Sequence, residues 1–218
     1  MEMEIKNKHV LFLVCVLLSS LVSIRIFYTF KTGFILPDEG IYFWSLKQTF
    51  KTGKLTFSYS TRQMYQLLLI TFNVLSGTNV YNYVMVTSFL NLIFAIGTIY
   101  LLYKTNNMWS ILTVFFIPSF ILYVPFALTE TPSLFFGMLG LYYYKQNKLV
   151  KTAISWSIAT AIREPYAIIL LGITPFLFKK SRTKQTVIYV LIALITIGVF
   201  ISTNYYGYLY YLIYNRQL

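Results

Sequence analysis

Long apolar runs alternate with short basic clusters along this chain, and that alternation predicts helices before anything else is considered. Residues 10–30 form an apolar run of about 21, enough to cross a bilayer core of roughly 30 Å. Residues 80–103 and 108–126 predict second and third spans, and 129–144 a fourth. Residues 149–178 are one apolar stretch interrupted by Arg163-Glu164-Pro165. As a single helix it would run about 45 Å, too long for one crossing. It therefore reads as two short helices, 149–162 and 165–178, with the charged triplet at the turn. Residues 185–203 give a seventh span, followed by a tyrosine-rich interfacial tail over 205–214.

Residues 31–79 are mixed and read as an outer loop with two interfacial helices. In 40–51, helical spacing sets Tyr42, Phe43, Leu46 and Phe50 on one face, with Lys47 and Lys51 beside it. Residues 64–75 are too few for a span and suit an interfacial or re-entrant helix, stopped by Gly77.

Composition sharpens this picture. Only 11% of residues are charged, against about 25% in a soluble domain, and 57% are hydrophobic. The expected class is an all-α integral membrane protein of about seven transmembrane helices with amphipathic juxtamembrane helices, in one domain. The net charge of +12 sits in clusters between apolar runs, so it reads as cytoplasmic loops rather than a nucleic-acid surface. With the N-terminus cytoplasmic, Lys104, Lys145, Lys148, Lys151 and the 179–184 cluster all fall on the cytoplasmic side. A cleaved signal peptide is a poorer reading of the first run, which exceeds a usual h-region and lacks a small-x-small cleavage site. Cys15 and His9 are the sole cysteine and histidine, which removes intrachain disulfides and makes histidine or cysteine metal sites poor candidates.

Past Glu4 the acids are Asp38, Glu39, Glu130 and Glu164, and this topology puts all four on the outer side. Scarce carboxylates gathered at one face, with Arg163 inside an apolar stretch, suggest a polar site under the outer leaflet. Plainer roles exist for each. Asp38 after Pro37 can cap a helix and Glu39 can favour its dipole. Thr131-Pro132 is an ordinary helix start, which leaves Glu130 as a solvated loop acid. Arg163 can snorkel to headgroups, and Glu164 has the character of a structural residue.

These residues resemble a known family. Pro37-Asp38-Glu39-Gly40-Ile41-Tyr42 after a first span is similar to the Pro-Asp-Glu-x-x-Tyr motif in the first outer loop of GT-C membrane glycosyltransferases. The nearest group is the polyprenyl-phosphate-sugar-dependent protein O-mannosyltransferases and aminoarabinose transferases. Leu75-Ser76-Gly77 resembles the family's Leu-Phe-Gly, Glu130 an acid of its second outer loop, and Ala159-Thr160-Ala161-Ile162-Arg163 its small-residue helix ending in a base. Arg62-Gln63-Met64 stands where the family often has His-Pro-Pro.

The resemblance implies an inverting transfer of a sugar from a polyprenyl-phosphate carrier to an acceptor hydroxyl on protein, lipid or glycan at the outer face of the cell membrane. It implies Asp38 as the base, supported by Glu39. Arg163, Arg62 and Lys47 would then meet the donor phosphate, and Glu130 and Tyr42 the sugar. No metal or other cofactor is expected, although some relatives use a divalent ion. The competing readings are a non-catalytic accessory or lipid-carrier-binding protein and a small transporter.

Overall fold

The computed structural model describes residues 2–33, 35–54, 63–74, 79–105, 123–126, 128–174 and 183–214. The expected third span, 108–126, lies almost wholly outside these residues, as do Arg62 and the end of the sixth span. Everything described is helix, turn or short link, with no strand. Eight helices follow in order: α1 Glu2–Thr32, α2 Pro37–Thr52, α3 Gln63–Asn73, α4 Val80–Thr105, α5 Glu130–Lys145, α6 Leu149–Ile162, α7 Tyr166–Gly172 and α8 Thr183–Tyr214. Two of them contain stretches long and apolar enough to cross a membrane, Leu11–Thr32 and Val80–Thr105.

Helix boundaries follow local chemistry. α1 contains neither Gly nor Pro, and it stops where Gly33 takes a left-handed φ of 69° and its N–H returns to the Thr29 carbonyl at 2.7 Å. Pro37 opens α2, where its fixed φ suits the first turn and its missing N–H costs nothing. Gly53, at φ 66°, closes α2 in the same way as Gly33 closes α1. α6 ends at Ile162, Arg163 is extended (φ −151°), and Pro165 bars continuation. α1 starts at Glu2 and α2 at Pro37, ahead of the expected 10 and 40, and two further boundaries depart from the sequence reading. α5 begins at Glu130, so the acid belongs to the first helical turn and does not sit in a loop before a Thr131 cap. α8 runs unbroken through the tyrosine-rich segment to Tyr214, because no proline stands there to stop it.

α5 and α6 form a tight hairpin through 146–148, where Asn147 adopts a positive φ of 58° that Asn tolerates. The helices pack closely because α5 offers glycine at the contact. A Cβ on Gly140 would strike the Trp156 ring, and one on Gly137 would strike Tyr166. Trp156 Nε1 donates to the Gly137 carbonyl at 2.9 Å. α4 lies against α5 and α1, α8 against α6, and α3 against both α4 and α6. Tyr189 on α8 donates to the Leu170 carbonyl of α7 at 2.8 Å.

Three apolar clusters hold this arrangement. One joins α1 to α4 through Val14, Leu18, Val22, Ala95 and Ile99. A second joins α2, α3, α4 and α6 through Tyr42, Leu46, Tyr65, Leu69, Tyr83 and Ile162. The third joins α6, α7 and α8 through Trp156, Leu170 and Tyr189. Large apolar side chains also face outward, among them Phe12, Phe27, Ile93, Leu194 and Ile195.

Candidate functional site

Arg25 stands near the end of α1 in otherwise apolar sequence, and its side chain is 5% exposed. A guanidinium so placed needs a carboxylate and further acceptors to offset its lost hydration. It finds them in Glu39, on α2. Arg25 Nη2 donates to Glu39 Oε2 at 2.8 Å, and Nη1 donates to the Thr29 hydroxyl one turn on. The guanidinium carbon lies 4.8 Å from the centre of the Phe126 ring. Phe126 is held in turn against α4, where Asn91 Nδ2 donates to its carbonyl and Ser88 donates to the Pro125 carbonyl at 2.9 Å.

Glu39 has no exposed side-chain surface. The same Oε2 accepts the Leu36 N–H at 2.8 Å, satisfying one of the amides left free at the start of α2. The Tyr83 hydroxyl donates to the Glu39 carbonyl at 3.3 Å. Glu39 thus ties α1, α2 and α4 together. The expectation that it works beside Asp38 as an acid of the reacting centre meets a different geometry. Its carboxylate is committed to Arg25 and the Leu36 amide.

Asp38, one residue earlier, is exposed and has no hydrogen bond or ion pair among the described residues. It lies in the first turn of α2, where the aligned peptide dipoles favour a negative charge. It does not cap the helix, because Leu36 occupies the cap position. The plain capping role open to it in the sequence is therefore not the one it plays.

A second ion pair forms where the α5–α6 hairpin returns on itself. Glu130 opens α5 and Arg163 follows α6, so both fall at the end of the hairpin away from its turn. Arg163 Nη1 lies 3.0 Å from Glu130 Oε1, with the side chains 40% and 26% exposed. The other carboxylate oxygen, Oε2, is buried and accepts no hydrogen bond from the described residues.

Tyr65 connects the two halves. Its ring is fully buried, meets Tyr42 edge-on at 5.0 Å, and packs in one cluster with Ile162, the residue before Arg163. Burial pushes the phenol well above its ordinary pKa. The neighbouring phenols Tyr83 and Tyr42 and then the carboxylates Glu39 and Glu130 push it the same way. The Tyr65 hydroxyl has no hydrogen-bond partner among the described residues.

The structure thus brings Glu130 to Arg163 and buries Tyr42 against Tyr65, while no bond ties Asp38 to any of them. Lys47 is exposed on α2, Glu164 is half-buried, and Arg62 lies outside the described residues. Sequence reasoning passed over Arg25, Tyr65 and Gln66. The signal for Arg25 was present, since a lone arginine inside an apolar run requires an anion. Gln66 stood out equally as a bare amide amid Leu and Ile. No family model matches the chain, and neither does any curated protein or solved structure.

Proposed function

We propose that the protein is a membrane glycosyltransferase of GT-C type, moving a sugar from a polyprenyl-phosphate carrier to an acceptor hydroxyl at the outer face of the membrane. The observation that carries this reading is the contrast between two adjacent acids. Glu39 is buried and neutralised by Arg25, whereas Asp38 is exposed and makes no ion pair among the described residues, on a helix start that the buried pair holds in place. A carboxylate kept accessible and free of cations is what a general base requires.

In this reading seven helices span the bilayer, with the N-terminus cytoplasmic and α2 and α3 at the outer interface. The outward apolar faces of α1 and α8 suit contact with lipid. The acceptor oxygen attacks the anomeric carbon as the bond from that carbon to the phosphate oxygen breaks. Asp38 takes the hydroxyl proton, the carrier leaves as polyprenyl phosphate, and the anomeric carbon, now bonded to the acceptor oxygen, has inverted configuration. Arg163 keeps guanidinium surface exposed beyond its contact with Glu130, and its charge offsets that gathering on the leaving phosphate. Lys47 and Arg62 assist in drawing the phosphate to the surface, and Tyr42 sets the ring wall beside the sugar.

The test is transfer by purified protein in nanodiscs, supplied with polyprenyl phosphates carrying different sugars and a mixture of hydroxyl acceptors. Transfer by the wild type that falls at least a hundredfold in Asp38→Asn supports the reading. Carrier binding without transfer by the wild type would instead assign the protein to the accessory, carrier-binding class.

A further inference from the structure

Four side chains at the start of α3 and the start of α5 carry buried polar atoms with no hydrogen-bond partner among the described residues: the Tyr65 hydroxyl, both ends of the Gln66 amide, Glu130 Oε2 and the Thr131 hydroxyl. Buried donors and acceptors in folded proteins nearly always find partners, and a single orphan calls for explanation. Here an acceptor-only carboxylate oxygen, two hydroxyls and a primary amide all go without. Tyr65 and Gln66 both have no exposed surface and lie on the buried stripe of α3 that continues through Leu69 and Asn73.

α3 packs on α6, and Tyr65 shares a cluster with Ile162, whose neighbour Arg163 holds Glu130. Phe135 and Phe136, one turn and more along α5 from Glu130, pack against the same cluster. Burial raises the Tyr65 phenol most, followed by Tyr83, Tyr42 and Glu39, and Glu130 adds to them last. The Glu130–Arg163 pair is partly exposed, while Glu130 Oε2 is buried.

We infer that Tyr65, Gln66 and Glu130 Oε2, with Thr131, form a recognition subsite for a neutral polyol, the sugar unit of the lipid-linked donor. The inference rests on the transferase reading above and adds the residues that would select the sugar. The donor set fits this chemistry. A primary amide both gives and accepts, which suits neighbouring hydroxyls on one ring, and a carboxylate oxygen accepts from a hydroxyl without needing a cation. An ionised phosphate oxygen accepts only and finds no donor in Glu130 Oε2, so the phosphate stays with Arg163 while the sugar hydroxyls meet these four side chains. Orphan polar groups also discriminate sharply, because a ligand lacking the matching hydroxyl leaves them unpaired.

The test compares a bare polyprenyl phosphate with the same carrier bearing a hexose or a pentose, each titrated onto the protein in nanodiscs. Lipid and phosphate are common to all, so the ratio of affinities reports the sugar alone. The wild type is expected to prefer at least one sugar-bearing carrier. Tyr65→Phe, Gln66→Met and Thr131→Val, each close to isosteric, are expected to cut that preference roughly 3–10-fold apiece and leave bare-carrier affinity unchanged. Melting temperature in the same nanodiscs identifies a variant that has lost its fold, and the other two then decide. Equal wild-type affinity for bare and sugar-bearing carriers overturns the subsite while the carrier-binding reading stands. A preference that survives all three substitutions also overturns it, and leaves these atoms as a hydration site. Failure to bind either carrier removes the transferase reading and the subsite together.

Discussion

Arg25 on α1 and Glu39 on α2, fourteen positions apart, meet as a buried ion pair at 2.8 Å. The pair pins the start of α2 to α1, and Asp38 is carried on that helix start. Taking one partner away would strand a charge in a site that water does not reach. Arg25→Ala and Glu39→Ala are each expected to destabilise the protein by about 3–5 kcal/mol. Thermal unfolding in detergent measures this. The double change Arg25→Met with Glu39→Met should cost less than either single substitution, since it leaves no uncompensated charge.

Asp38 is expected to behave in the opposite way. It makes no bond among the described residues, so Asp38→Asn should change stability by no more than about 1 kcal/mol, the ordinary worth of a charge at a helix N-terminus. Transfer should fall roughly 10²–10⁴-fold. A variant that is both stable and fully active would remove Asp38 from the reaction.

The Glu130–Arg163 pair is partly exposed, and solvent weakens it accordingly. A double-mutant cycle on Glu130→Ala and Arg163→Ala should give a coupling of about 1 kcal/mol or less in stability. Donor affinity should respond more strongly. Arg163→Lys should retain part of it as a point charge without the forked geometry, and Arg163→Ala should retain least.

Close packing of the α5–α6 hairpin depends on Gly140. Gly140→Ala places a methyl group against the Trp156 ring, which is already held by its bond to the Gly137 carbonyl. Overpacking of this kind is expected to cost about 1–3 kcal/mol, read as a lowered melting temperature. Gly198, with open space around its Cβ position, is the control and should accept Ala without loss.

The proposed topology has its own check. After Cys15 is replaced by Ser, single cysteines at positions 38 and 148 should react with an impermeant thiol reagent from opposite sides of the membrane. Labelling of both from outside would overturn the seven-span arrangement.

Much of the helical layout was legible in the chain. Gly33, Pro37, Gly53 and Pro165 mark boundaries because backbone φ is decided at the residue itself. The face of α2 that buries Tyr42 and Leu46 follows from helical spacing alone. The break around Arg163-Glu164-Pro165 follows from proline's missing donor and from the length a single helix would have needed. The continuation of α8 to Tyr214 did not follow, because tyrosine suits a helix and an interface equally.

Which charges meet was a different matter. The acids were visible as a scarce set, but nothing local separates Glu39 from Asp38, two neighbouring carboxylates on one turn. Only the approach of α1 gives one of them Arg25 and leaves the other in the open. Tyr65 is one of many tyrosines in the sequence, and its unpartnered hydroxyl exists only because α3 lies against α4 and α6. Helices are written by hydrogen bonds between residues four apart, so the sequence by itself determined most of their extent. Ion pairs and orphaned polar atoms depend on helices distant in the chain coming together and excluding water, and the tertiary structure alone decides that.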